Sequence, residues 1–254
     1  MDLTSLERLL EINSGLDVEV RSADTGTEAL SAVGRGEVHV GLLPLFEYLL
    51  AHKEYDVHAR LRVLRSVNPD PHAYSGEIVA RKGGPLTSLE QLAGKRIAYV
   101  DPYSVSGYIL PAALLASRGI SVEATFAGSH SAALEHVRQG KADAAATYAG
   151  AAASDPTLQV IGTTEKIPNE PVFTARNLDP EIERKVLDAL TRAATTQEGR
   201  KILDRLGHIS GFEPIDDPAY QEATRVVAKA GKFIQDLVPG AREMAWANEA
   251  GWPL

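Results

Sequence analysis

One short pattern occurs twice in the chain, and it restricts the fold more than any other feature. EALSAVGRGEVHVG (Glu28–Gly41) parallels AALEHVRQGKADAA (Ala132–Ala145): Ala-Leu, Val three residues after the Leu, Gly three further on, then an apolar run. The Leu and Val fall on one face of a helix. Gly36 and Gly140 stand where a residue of positive φ ends that helix ahead of a strand. Each copy is preceded by small or hydroxyl-bearing residues, Thr25-Gly26-Thr27 and Ser129-His130-Ser131, which suit a helix N-cap. Two similar α/β lobes, each presenting a capped helix start, account for the echo. Chance similarity is the alternative, because helix-glycine-strand is a common local unit.

Apolar runs and helical periods alternate along the rest of the chain, the pattern of an α/β protein. Strands are predicted at Leu16–Val20, Val38–Leu43, Glu77–Ala80, Arg96–Val100, Ala142–Ala146 and Leu158–Ile161, with helices at Glu28–Gly34 and Gly107–Leu115. From about Pro180 the chain reads as mostly helical. At 254 residues it can bury one large core or two smaller ones. No run approaches the roughly 20 apolar residues of a membrane span. The start, MDLTSLERLLEINSG, lacks the basic and apolar regions of a secretory signal. The expected location is therefore periplasmic, or lipid-anchored outside the cytoplasmic membrane, if a signal has been removed, and cytoplasmic otherwise. There is no cysteine, which excludes disulfides and thiolate chemistry. A net charge of −8 argues against a nucleic-acid partner, yet permits a small anion held by backbone N–H groups at helix starts.

Further phrases fall in a telling order. DPYSVSGYILP (Asp101–Pro111) resembles the DPxSxSGYxxP stretch of the phosphonate/phosphite/phosphate-binding proteins of ABC transporters. HAYSGEIVAR (His72–Arg81) resembles that family's crossing strand, LTSLEQLAGKRIAYVDP (Leu86–Pro102) its second-lobe entry, and GSHSAALEHVRQGKADAAA (Gly128–Ala146) its histidine-led helix. KIPNEPVFTARNL (Lys166–Leu178) resembles the return crossing, and Gly199–Val227 the C-terminal pattern. The resemblance implies a two-lobed type 2 periplasmic-binding-protein fold, α/β, with two crossing hinge strands. The implied lobes are 1–76, 77–171, and 172–254 as the return with C-terminal helices. It also implies a non-catalytic receptor, without cofactor or metal, that closes on a small oxyanion and delivers it to a permease and ATPase. A monomer is expected. Two departures stand out: the family's opening strand is either cut off or absent, and Leu42-Leu43-Pro44 replaces an aromatic at the first-lobe cleft.

Ser104 and Ser106 flank Val105 ahead of an apolar helix. A helix start leaves four N–H groups without intrahelical partners and carries about half a positive charge, so a tetrahedral oxyanion suits it. The plainer reading is that Ser104 only caps its own helix. Val105 offers an N–H alone. His130, at the start of the repeated helix, is the expected ring donor, with Ser129 and Ser131 beside it. Thr25 and Thr27 are its counterparts by the echo, and Tyr48 reads as packing. The resemblance adds Tyr74 on the crossing strand, Tyr148 shaping the space beyond the anion, and Glu170, which would face an ammonium or a protonated P–OH, or simply solvent; Asn169 beside it would be indifferent to ligand charge. His39, His52, His58, His72, His136 and His208 show no metal-ligand spacing. Two rival functions are an enzyme on the same two-lobed fold and a ligand-sensing module. Against catalysis, no Ser-His-Asp order, nucleotide loop or paired-acid constellation is present.

Overall fold

The computed structural model describes residues 3–221, 223–225 and 238. Helices expected beyond 225 lie outside the described residues. Two compact units emerge, one from Met1–His72 with Pro168–Gln221, the other from Ala73–Ile167, apart from the segments after Gln221.

The first unit opens with α1 (Thr4–Ser14), α2 (Gly26–Gly34), β1 (Val40–Leu42), α3 (Leu45–Tyr55) and β2 (His58–Arg65). The chain then builds the second unit from β3 (Ala73–Tyr74), β4 (Gly76–Arg81), β5 (Arg96–Tyr99), a π-turn (Val105–Ile109), α4 (Leu110–Ser117), β6 (Glu123–Phe126), α5 (His130–Arg138), β7 (Ala144–Tyr148) and β8 (Leu158–Thr163). A ribbon of β3 and β9 (Ile167–Pro168) marks the passage. The return to the first unit supplies β10 (Pro171–Thr174), α6 (Pro180–Ala193), α7 (Gln197–Arg205) and β11 (Ile209–Pro214).

The first unit's sheet has the order β1-β10-β2-β11, and every pair is antiparallel. In β2, Ala59, Leu61 and Val63 are buried, while the positions between them are arginines tied to carboxylates: Arg60 to Glu183 and Arg62 to Glu213. Two strand expectations need correction here. Leu16–Val20 does alternate between half-buried and exposed, but it joins no ladder, and Val20 N–H donates to the Glu7 carboxylate at 2.9 Å. Val38–Leu43 was read as a buried strand, whereas β1 is a short edge strand paired with β10 alone, leaving Leu42 exposed. Leu43, beyond its end, is buried.

The second unit is a sheet of order β6-β5-β7-β4-β8, in which β6, β5 and β7 run parallel and β4 runs antiparallel to both neighbours. Period-2 alternation divides its residues between two faces. Ile78, Ala80, Ile97, Tyr99, Ala144 and Ala146 join Leu92 and Leu115 on one side. Val79, Ala98 and Ala145 join Ala133, Leu134 and Val137 of α5 on the other. Because helices cover both faces, the inner strands read as unbroken apolar runs.

The sequence echo is a structural repeat down to its hydrogen bonds. Both α2 and α5 have nine residues, and their N-caps Thr25 and Ser129 accept from Glu28 N–H and Ala132 N–H, each at 3.1 Å. Gly36 and Gly140 both stand at φ 71°, donating to Val33 and Val137. The strands that follow, β1 and β7, start at Val40 and Ala144, again at equivalent positions.

Candidate functional site

Parallel strands place the starts of the helices that follow them along one sheet edge, the edge where open α/β sheets bind ligands. In the second unit that edge is the carboxyl end of β6, β5 and β7. Val100, just past β5, fastens two helix starts together. Its N–H donates to Gly107 O at 3.1 Å, inside the turn that Ser104 opens. Its carbonyl accepts from Gly128 N–H at 2.8 Å, one residue before the Ser129 cap. The two starts expected to converge on an anion are therefore neighbours.

The first start is not an ordinary helical turn. Ser104 O accepts from both Tyr108 and Ile109 N–H at 3.0 Å, so the helix opens as a π-turn before settling into α4. The expected helix at Gly107–Leu115 thus begins earlier and wider than its apolar pattern indicated. Ser104 Oγ accepts from Gly107 N–H at 3.1 Å, so the side chain does cap its own helix. The N–H groups of Val105 and Ser106 precede the first intrahelical bond and are left for an outside acceptor. Ser106 is buried, and its backbone is held in place by Gly76, where a Cβ would come within 2.7 Å of Ser106 O.

At the second start, the Ser129 and Ser131 hydroxyls lie 3.1 Å apart. His130 is half-buried; its Nδ1 lies 3.1 Å from Thr147 Oγ1, and its ring meets Tyr148 edge-on with centroids 4.9 Å apart. Burial pushes the imidazole below its ordinary pKa, opposed by the negative charge of Asp101. A neutral His130 can still donate one N–H. Asp101 is occupied locally, accepting from Tyr103 N–H at 2.8 Å. Tyr148 is 47 % exposed, an aromatic wall on the open side of the edge.

The structure thus brings Ser104, Val105, Ser106, Ser129, His130 and Tyr148 to one edge. Thr147 belongs with them and carried no signal in the sequence, where it only ends a run of alanines. Tyr74 sits in β3, at the crossing ribbon. Thr25 and Thr27 stand at the start of α2 in the first unit, their hydroxyls 3.2 Å apart. Glu170 accepts from Arg65 Nε at 3.1 Å, so its carboxylate is ion-paired rather than solvent-facing. Its neighbour Asn169 is fully buried and bonds Val63 O, Pro71 O and Asn68.

Tyr48 packs as expected, but with a polar role as well: it is fully buried and its hydroxyl donates to Asp217 at 2.5 Å. Spacing gave no hint that His52, His58 and Asp217 would gather within 4.8 Å. Their atoms are engaged in local bonds, with Asp217 accepting from Tyr48, His58 and Ala59 N–H, and His52 Nδ1 against Val57 O. Burial would raise the Asp217 carboxyl, but those donors outweigh it and hold it below its ordinary value.

Residues 2–220 match the family model described as ABC transporter, phosphonate, periplasmic substrate-binding protein. Solved structures share the fold. One is XAC2383 from Xanthomonas citri bound to chloride ion, with TM-score 0.73 and 20 % identity over 93 % of this chain and 92 % of that one. The same protein has been solved bound to ATP. A binding protein component of an ABC phosphonate transporter from Pseudomonas aeruginosa gives TM-score 0.64 and 18 % identity over 97 % and 93 % of the two chains. PhnD1 from Prochlorococcus marinus in complex with methylphosphonate gives 0.67 and 15 % over 91 % and 92 %.

Proposed function

Since the chain belongs to the family of ABC-transporter periplasmic phosphonate-binding proteins, we propose that it captures a small phosphorus oxyanion at the carboxyl edge of β6, β5 and β7. That family consists of transport receptors for small ligands, working with a permease and an ATPase, rather than enzymes. Among the described residues no helix is long and apolar enough to cross a membrane.

The observation that carries the reading is the pair of helix starts fastened to Val100. The Val105 and Ser106 amides, the Ser106 hydroxyl, the amides after Ser129 and the His130 ring supply donors without any basic side chain. Hydrogen bonds to a charged group contribute about 1.5–3 kcal/mol each. Several of them, less the cost of ordering, suit affinity on the order of micromolar. Phosphonate, phosphite and phosphate all fit this donor set. Tyr148 favours a phosphonate, because its exposed ring offers a wall to a carbon substituent. Thr25, Thr27 and Tyr74 join the ligand in this reading if binding draws both lobes together by hinge closure. Glu170 is not assigned to an ammonium, since Arg65 already neutralises it.

Isothermal calorimetry with methylphosphonate, phosphite, phosphate, sulfate and ATP tests the proposal. Methylphosphonate should bind most tightly, and Ser106→Ala should weaken it by about 1–3 kcal/mol. Folded protein that ignores all three phosphorus anions would reject the reading.

A further inference from the structure

We propose that Thr147 is a positioning residue: its buried hydroxyl donates to His130 Nδ1 and so fixes the imidazole in the tautomer whose Nε2–H is available to an anion. This rests on the anion-binding reading of the same edge.

A neutral imidazole carries one N–H and one lone pair, and the hydrogen bond made by one nitrogen decides what the other can do. His130 Nδ1 lies 3.1 Å from Thr147 Oγ1. If Nδ1 carried the proton, Thr147 would accept, and Nε2 would present a lone pair that repels an oxyanion. If Thr147 donates, Nε2 carries the proton and attracts one.

Burial decides between them. Thr147 is fully buried on β7, and its backbone is held opposite Glu77 in the ladder with β4. Among the described residues its hydroxyl has one hydrogen-bond partner, the His130 ring. Were Thr147 the acceptor, its own hydrogen would be left in the interior without an acceptor, a costly arrangement. The β-branched side chain on a fixed strand also has few rotamers, and the Tyr148 ring edge-on to the imidazole restricts the ring's own rotation. The depressed basicity of His130 fits, since a neutral ring is the species for which the choice of tautomer matters.

Long-range proton–nitrogen correlation spectra of the ligand-free protein read the tautomer directly, and calorimetry with methylphosphonate and with inorganic phosphate reads its consequence. In the wild type, His130 should show the Nε2–H pattern. Thr147→Val keeps the shape and removes the donor; the spectrum should move to a mixture or to Nδ1–H, with affinity for both anions about tenfold weaker. Thr147→Ser keeps a hydroxyl and should restore both, which a packing role for the methyl group would not predict. A wild-type Nδ1–H pattern overturns the proposal, as does a Thr147→Val protein with unchanged spectrum and affinity. If neither anion binds the wild type, the function falls, while the ligand-free spectra still decide the hydrogen-bond direction.

Discussion

Gly107→Ala tests whether the π-turn is locked by steric contact with Val100, just past β5. A Cβ on Gly107 would stand 2.3 Å from Val100 Cγ2 and 2.7 Å from both Val100 Cβ and Ser104 Oγ. Ordinary contacts are at least 3.4 Å, so either the turn or Val100 must recede by about an ångström, an overpacking that costs about 1–3 kcal/mol. Recession also stretches the Ser104 cap on Gly107 N–H, whose loss costs about 1 kcal/mol. The expected destabilisation is about 2–4 kcal/mol, read from urea unfolding midpoints. Adding Val100→Ala removes Cγ2, the nearest obstruction, and leaves the Cβ in place. The double variant should therefore be more stable than the sum of the two single effects, with a coupling of about 1–2 kcal/mol. Strict additivity, or a Gly107→Ala protein as stable as the parent, would refute the locking argument. Anion affinity should fall with Gly107→Ala and recover in part in the double variant, since Val100 anchors both helix starts through its backbone.

Other predictions follow from the same geometry. Gly36→Ala and Gly140→Ala should each cost about 1 kcal/mol and by similar amounts, because both glycines sit at φ 71° with open space where a Cβ would stand; unequal costs in denaturant unfolding would show that the repeats differ at their helix ends. Proton NMR should find His130 titrating below its ordinary value, and bound phosphonate should raise that midpoint by stabilising the imidazolium; by linkage, affinity should improve as pH falls through the bound-state midpoint and level off below the free-protein one. Asp217→Ala should destabilise by about 2–4 kcal/mol, since it strands the fully buried Tyr48 hydroxyl and the Ala59 N–H. Tyr48→Phe, which removes only one donor, should cost less in the same unfolding assay.

What the sequence revealed and what it hid differ in physical kind. Local devices were legible: the N-caps Thr25 and Ser129, the positive-φ glycines, and the apolar runs that became β4, β5, β7 and β8 all depend on neighbours within a few residues. The eight-residue β2 is hidden, although Ala59, Leu61 and Val63 alternate with His58, Arg60 and Arg62, because the two outward arginines and Arg65 near its end make the segment read as polar. Those arginines make sense only beside Glu183, Glu213 and Glu170, more than a hundred residues away. Leu16–Val20 shows the converse: alternation is necessary for a half-buried strand, but a ladder partner comes from the fold. At the candidate site, Ser104, Ser106 and His130 were visible through motif and echo. The π-turn was not, because the choice between two registers at Ser104 O is made by packing against Val100. Thr147 was hidden because its importance lies in a single contact with a helix start 17 residues earlier.

The repeat is asymmetric where chemistry matters. The position equivalent to His130 in the first unit is Gly26, and a Cβ there would meet Glu47 Oε1 at 2.8 Å and Cγ at 2.9 Å. A histidine would fit there only with the Glu47 side chain moved aside, so the imidazole stands in one copy alone. Glu47, in the first turn of α3, has its carboxyl pushed above the ordinary carboxylate range by burial, with its own backbone N–H opposing the shift. The sign follows. The folded state favours the protonated acid, so stability is fully present below the unfolded pKa near 4.3 and declines as pH rises toward the folded value. The deficit is complete once pH passes the folded value, at about 1.4 kcal/mol for each tenfold displacement of the protonation equilibrium. Glu47→Gln carries the shape of the neutral acid without the charge. It should match the parent near pH 4 and exceed it in stability at pH 7, measured by urea unfolding at both values. Equal stabilities at pH 7 would mean that the Glu47 charge reaches water and that burial does not penalise it.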